Sequence, residues 1–250
     1  MWVFVIILSV KREQMMVSVI IPAFNEEKGI SKTLDSLLTQ THKAFEVIVV
    51  DNNSHDATIK VARKYQKKLS LRIVQEKKQG RGSARARGAM EAKGDILAYV
   101  DADTQVFKNW IEVIEKAFAD KSVVAVTGPW RTNDVNHFTR WFLHTFQEHG
   151  QLPYRIWMGH FWLNGMNMAI HKSAYKKAGG FDEVLNAHED IDLSNRLDPY
   201  GEIAYTPEML VTTSARRYKN GLLRGLFSYQ KTGIQKFVLR QRSVNLGNTR

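Results

Sequence analysis

The pattern of this chain predicts an α/β fold: a mostly parallel sheet with helices on both faces. Three observations carry that expectation. Val- and Ile-rich runs of strand length are continuous rather than alternating, as in strands buried on both sides. The segments between them return their apolar residues at helical spacing, so strands and helices take turns. Three of the runs stop at polar residues, Pro22-Ala-Phe-Asn-Glu26, Asp51-Asn-Asn-Ser54 and Asp101-Ala-Asp103. In a parallel sheet these ends share one edge, where ligands of such folds bind.

In order, "VSVIIP" (17–22) reads as the first strand, followed by a helical pattern from Asn25 to Gln40 carrying Ile30, Leu34, Leu37 and Leu38. "FEVIVVD" (45–51) is the second strand, and Ile59, Ala62 and Tyr65 line one face of the helix after it. "LRIVQ" (71–75), a Gly/Arg-rich turn and a helix from about Ser83 to Ala92 lead to strand "DILAYVD" (95–101). Helix "NWIEVIEKAFA" (109–119) and strand "VVAVTG" (123–128) complete this half. Residues 130–163 are dense in Trp, Phe, Tyr and His with little alternation, and no element is predicted there. Regular patterning returns in "FWLNGMNMAIHKSAYKKAGGFDE" and "HEDIDLSNRLDPYGEIAYTPEMLV". There is no clear linker, which points to one domain with an elaborated second half.

The chain of 250 residues is long enough to bury a sizeable core. It has no cysteine, so disulfides and thiolate metal sites are excluded. The net charge of +11 favours a polyanionic partner, whether nucleic acid, anionic lipid or a phosphorylated substrate. Nine of the first ten residues are apolar, but a bilayer span needs roughly 20. The features of a secretory signal are also absent, and Met1 to Gln14 is expected to be dispensable. Met15 and Met16 stand immediately before the first strand.

Asp101 and Asp103 pose the chemical question, because like charges that close repel and both resist desolvation. A hard divalent cation relieves that repulsion and bridges a substrate's phosphates. By itself Asp-x-Asp is a weak signal. The first strand-end turn lacks a Gly-x-Gly-x-x-Gly, and no Walker A motif is present. "GRGSARARG" (80–88) has the composition of a phosphate cradle but no Lys-Ser/Thr pair after it.

Five segments together are far more specific: "VSVIIPAFNEE", "FEVIVVDNNSHDAT", "ARGAMEAKGDILAYVDADT", "LNGMNMAIHKSAYKKAGGFDE" and "HEDIDLSNRLDPYGEIAYTPE". In order and spacing they resemble the family 2 glycosyltransferases of the GT-A fold, over about residues 16–212. The resemblance implies a nucleotide-sugar half (16–128) and an acceptor half (129–212), between an apolar extension (1–15) and a basic C-terminal segment (213–250). It implies that Pro22, Ala23, Asn25, Glu26 and Asp51 hold the base and ribose. Arg85 would lie beside the nucleotide, although Ala86 stands where the family usually has Asn. Asp101, Ala102 and Asp103 would form the donor and metal corner, with Asp103 the principal ligand of Mg²⁺ or Mn²⁺ and Asp101 in contact with the ribose or the metal.

Asn164 and Gly165 would pass under the donor sugar, and a strand-edge role for Asn164 and Asn167 stays open. In "HED" (188–190) the family's catalytic base corresponds to Asp190, with Glu189 beside it. A sugar hydroxyl is a poor nucleophile until a placed carboxylate takes its proton. His188 could orient the acids or ligate the metal, or be structural. Arg216 and Arg217 could reach a diphosphate, since guanidinium pairs with phosphate in bidentate fashion.

The implied function is an inverting, metal-dependent transfer from a nucleotide-diphosphate sugar to a hydroxyl acceptor, a glycan or glycolipid, in polysaccharide or glycolipid synthesis. A polyprenyl-phosphate sugar synthase is the alternative; its acceptor is already an anion and needs no base. A nucleic-acid binder would interleave basic and aromatic residues, which 138–162 does not do, so no nucleic-acid partner is expected. A catalytically inactive binding protein is also disfavoured, because every carboxylate expected for chemistry is present. In 212–242, Leu223, Leu226, Phe227, Ile234, Phe237 and Val238 form an apolar stripe among basic residues. That pattern suits a membrane surface, and equally a helix packed on the core. The expected location is cytoplasmic, peripheral on the inner face of the membrane.

Overall fold

A computed structural model describes residues 15–219 and 221–233. In chain order its elements begin with β1 (Val17–Ala23), α1 (Ile30–Leu38), β2 (Phe45–Asp51), α2 (Thr58–Arg63), β3 (Leu71–Gln75), α3 (Arg81–Glu91) and β4 (Ile96–Val100). Next come β5 (Thr104–Val106), α4 (Trp110–Ala117), β6 (Val123–Thr127), β7 (Trp130–Arg131) and α5 (His137–Met158). The last are β8 (Asn167–His171), α6 (Lys172–Lys177), α7 (Glu189–Leu197), β9 (Glu202–Tyr205), β10 (Val211–Thr213) and α8 (Leu222–Gly233). The strands and helices expected before residue 128 are all present, but α1 begins only at Ile30 rather than Asn25, and α2 is confined to Thr58–Arg63, which leaves Tyr65 beyond its end.

The continuous apolar runs have a direct cause. In β1, Val17, Val19 and Ile21 face one core while Ile20 faces the other. β2 divides Val47 and Val49 from Ile48 and Val50 in the same way. One core is closed by α1 and α4 through Ile30, Leu34, Leu37, Trp110, Ile111 and Ile114. The other is closed by α3, α6 and α7 through Ala84, Ala89, Ala174, Leu193 and Leu197. Each fully buried Val, Leu or Ile contributes about 1.5–3 kcal/mol, so residues of both strand phases are needed. α3 sits close because its face is small: a Cβ at Gly88 would lie 2.3 Å from Ile20.

The main sheet has seven strands in the order β3-β2-β1-β4-β8-β6-β9. The pairs β2–β3, β1–β2, β1–β4 and β6–β9 are parallel, and β8 runs antiparallel to both its neighbours. β8, from the second half of the chain, therefore lies between two strands of the first. A small sheet, β5-β10-β7, follows the Asp101–Asp103 corner. Its β10 pairs Thr213 with Thr104, and their hydroxyls are 2.8 Å apart. This pairing brings residues 213–218 over the strand ends.

The aromatic region holds a 22-residue helix, α5, that the sequence pattern did not predict. Asn136 caps it, accepting from Thr139 N at 2.8 Å, and Gly159 ends it with φ of 89°. No helix among the described residues is long and apolar enough to cross a membrane. Residues 1–14 and the part of the basic stripe from 234 onward, with Ile234, Phe237 and Val238, lie outside the described residues.

Candidate active site

The three strand ends do meet. Pro22, Ala23 and Phe24, then Asn52, then Asp101, Ala102 and Asp103 line one cleft, joined by Arg81, Arg85 and Ser214 to Tyr218. A second cavity of about 570 Å³ adjoins it and shares Arg81, Arg85, Asp101, Trp130, Met166 and Tyr218. This cavity contains Asn164, Gly165, His188, Glu189 and Asp190, and is walled by Phe142, Leu143, Phe146, Trp162, Ile191 and Leu226.

Arg85 is the hub. It is 3% exposed, donates to Asp101 Oδ1 at 3.0 Å and to Gly165 O at 3.0 Å, and forms an ion pair with Glu189. Burial alone would lower its pKa; Glu189, then Asp101 and Asp190, overcome that and hold it above the ordinary value. Burial in turn pushes the Glu189 carboxyl up, against Arg85 and with Asp190 acting in the same direction as burial. Glu189 is 3% exposed, so its carboxylate is committed to Arg85 and acts by positioning it. Asp190, beside it, is half-buried and lines the cavity. Its Oδ2 accepts from Gly165 N at 2.9 Å and its Oδ1 from Ile191 N at 2.9 Å. His188, at φ of 58°, turns the chain into α7.

Gly165 has a specific steric reason to lack a side chain. A Cβ there would come within 2.7–3.0 Å of the Arg85 guanidinium. Arg85 is held by three partners and cannot swing away cheaply. Gly165→Ala should therefore cost about 1–3 kcal/mol by overpacking. The expected result is a lower melting temperature together with weaker donor binding; an unchanged melting temperature would show that Arg85 has room to move.

The Asp101–Asp103 corner is occupied by side-chain charge. Asp103 pairs with Arg216, and Arg216 also bonds Glu26 Oε1 at 2.7 Å. Burial, then Asp101, and also Glu26 push the Asp103 carboxyl up to about 6, with Arg216 opposing. Among the described residues no cluster of three or more His, Cys, Asp or Glu closes around an ion. Two hard oxygen donors at an open cleft nevertheless fit a cation that keeps several of its waters. The crowding at Asp103 is the repulsion such an ion would relieve.

Other expected residues are placed as follows. Asn25, at φ of 54°, accepts from His55 N at 2.8 Å, and Asp51 accepts from Ser54 N at 3.0 Å. Both hold loops at the strand ends, and neither is among the residues that line the cleft. Arg217 lines the cleft. Asn167 is wholly structural: it accepts from Trp110 Nε1 at 2.9 Å and donates to Pro129 O and Met209 O. Asn164 forms the isolated bridge to Asn167 and lines the cavity. The Gly80–Gly82 turn is packed on the 182–186 loop, where a Cβ at Gly82 would lie 2.3 Å from Asp182 O. That contact accounts for the glycine at 82. Arg81, between the two glycines, lines both cavities and had no signal of its own in the sequence.

Solved structures share this architecture. A mannosyltransferase from Pyrobaculum calidifontis in complex with GDP-Man and Mn²⁺ superposes with a TM-score of 0.67 at 22% identity, over 88% of this chain and 65% of that one. S. aureus TarS 1–349 in complex with UDP-GlcNAc superposes with 0.66 at 24% identity, over 80% and 58%. At these identities they establish the fold as GT-A. Residues 18–179 match the profile of Glycosyl transferase family 2, and the chain belongs to that family. Glycosyltransferase AglE of Haloferax volcanii is 39% identical over 38% of this chain and 33% of its own length. An uncharacterized glycosyltransferase of Rickettsia typhi is 26% identical over 92% of this chain and 74% of its own.

Proposed function

We propose that the protein is an inverting glycosyltransferase, moving a sugar from a nucleotide-diphosphate donor to a hydroxyl of an acceptor with an apolar portion. One observation carries the reading. Asp190 lines the apolar cavity that adjoins the cleft of the strand ends, its carboxylate fixed by two backbone N–H groups. The donor lies over Pro22–Phe24 and Asp101–Asp103, with Arg81 and Arg217 near its phosphates. The acceptor enters from the other side. Its O–H proton passes to Asp190 as the oxygen bonds to the anomeric carbon, and the bond from that carbon to the diphosphate breaks with its electrons. Approach from the face opposite the leaving group inverts the configuration.

Asp101 and Asp103 would hold a divalent cation, Mg²⁺ or Mn²⁺, which when bound supplies positive charge against the diphosphate. Arg85 and Glu189 orient the two sides of the site. The apolar wall favours a glycolipid over a free glycan, and a cytoplasmic enzyme working at the inner membrane face. Basic residues of 219–242 would add attraction to anionic lipid.

The apolar wall also fits the second reading, a polyprenyl-phosphate acceptor, for which no base is needed. Activity of Asp190→Asn toward a lipid phosphate would select it. A thermal-shift screen of UDP-, GDP- and TDP-sugars, with and without Mn²⁺, tests the donor side. A bound ligand at 100 times its dissociation constant stabilises by about 2.7 kcal/mol, so a productive donor should raise the melting temperature clearly. No shift with any nucleotide sugar would refute the reading.

A further inference from the structure

Helix α5 is built inside out. Its inner face is pinned to the body by polar side chains. Gln147 Oε1 accepts from Trp130 N at 2.6 Å, Gln151 exchanges two bonds with the Trp162 backbone, and His144 Nε2 accepts from Thr132 N at 3.1 Å. Thr139, Gln147 and Gln151 are 2–4% exposed. The outer face carries the apolar mass: Phe138, Trp141, Leu152 and Ile156 fall on one stripe, and Ile156 and Trp157 are 79% and 82% exposed. An ordinary surface helix has the opposite arrangement, because exposed apolar area gains nothing from water. Folding therefore leaves this face in need of a cover.

Its composition says which cover. The helix contains Arg140 and Arg155 against one acid, Glu148, and α8 adds exposed Arg224, in a chain of net charge +11. Trp beside Arg is the combination that settles at headgroup depth, where rings meet acyl chains and cations meet phosphate. The apolar surface is also continuous with the cavity. Phe142 and Phe146 stack at 6.2 Å and both wall it, and Phe146 is itself exposed. On the far wall, α8 contributes Leu226 to the cavity and exposes Leu223 and Phe227 beside Arg224.

We propose that the outer face of α5 is a membrane-docking surface that lies on an anionic phospholipid bilayer, with the cavity mouth opening at the lipid headgroups. This assigns to a described helix of the acceptor half a contact that sequence pattern alone placed in 219–242. It concerns binding to lipid and does not depend on the identity of the donor or on transfer.

The test uses the full chain and vesicles of phosphatidylcholine, with and without phosphatidylglycerol, sedimented at low ionic strength. The wild-type protein should co-sediment with the phosphatidylglycerol vesicles and little with phosphatidylcholine alone, and brominated acyl chains should quench its Trp emission. The triple variant Trp141→Gln/Ile156→Gln/Trp157→Gln changes only exposed positions that do not line the cavity. It should keep its melting temperature and lose about 10-fold or more in vesicle partitioning, because apolar burial supplies the larger share of such binding. The proposal is overturned if the wild-type protein ignores anionic vesicles, or if the variant binds them as the wild type does, which would place the contact elsewhere. It is equally overturned if the wild-type protein is a dimer that the variant dissolves while vesicle binding stays unaltered. That result would make the cover a second copy of the chain.

Discussion

Asp190→Asn should reduce transfer to a hydroxyl acceptor by about 10²–10⁴, the usual cost of losing a positioned general base. The change is nearly isosteric. Asp190 accepts two backbone N–H bonds through separate oxygens, and Asn can keep one of them. The lost bond costs about 1 kcal/mol, so the fold should survive with a modestly lower melting temperature. Donor affinity should change little, because Asp190 lines the apolar cavity and not the cleft of the strand ends. Glu189→Gln should give a different profile. Its carboxylate is buried against Arg85, and Arg85 also holds Asp101 and Gly165. Removing its charge should lower stability and donor affinity together, with a smaller fall in kcat. Steady-state kinetics on both variants with a hydroxyl acceptor checks this. Full turnover by Asp190→Asn would overturn the proposed mechanism and leave the fold untouched.

The contrast between those neighbours was only half visible in the sequence. "HED" marks an acidic helix start, but nothing local says that Glu189 turns inward and Asp190 outward. The deciding partner, Arg85, is 104 residues away. The parallel half was legible for a physical reason: strands covered on both faces must be continuously apolar, and their polar ends stand out. Those polar ends do line one cleft.

α5 was illegible for the converse reason. Helix patterns are read by assuming that apolar residues face inward, and here Gln147 and Gln151 face inward while Trp157 faces out. Arg216 shows a third limit. The two arginines at 216 and 217 are ordinary in composition, and only the pairing of β10 with β5 sets one of them against Asp103.

Asp103→Ala should abolish metal-stimulated donor binding and transfer, and the geometry gives a way to separate the metal's role from that of Arg216. In the structure Arg216 is the cation that Asp103 and Glu26 share. Removing one member of a buried charge cluster costs up to about 3–5 kcal/mol when fully desolvated; Arg216 is partly exposed, so the lower end applies. Arg216→Ala should therefore melt earlier in chelator, because burial, Asp101 and Glu26 then act on Asp103 without their main opponent. Added Mn²⁺ should restore more stability to this variant than it adds to the wild type, since the ion meets a carboxylate cluster with no competing guanidinium. Asp103→Ala/Arg216→Ala should lose that extra response. Calorimetry of the three variants in chelator and in Mn²⁺, without donor, reads the effect independently of catalysis. Equal Mn²⁺ responses in wild type, Arg216→Ala and the double variant would remove Asp103 from the metal site, and full transfer by the wild type in chelator would remove the metal from the reaction.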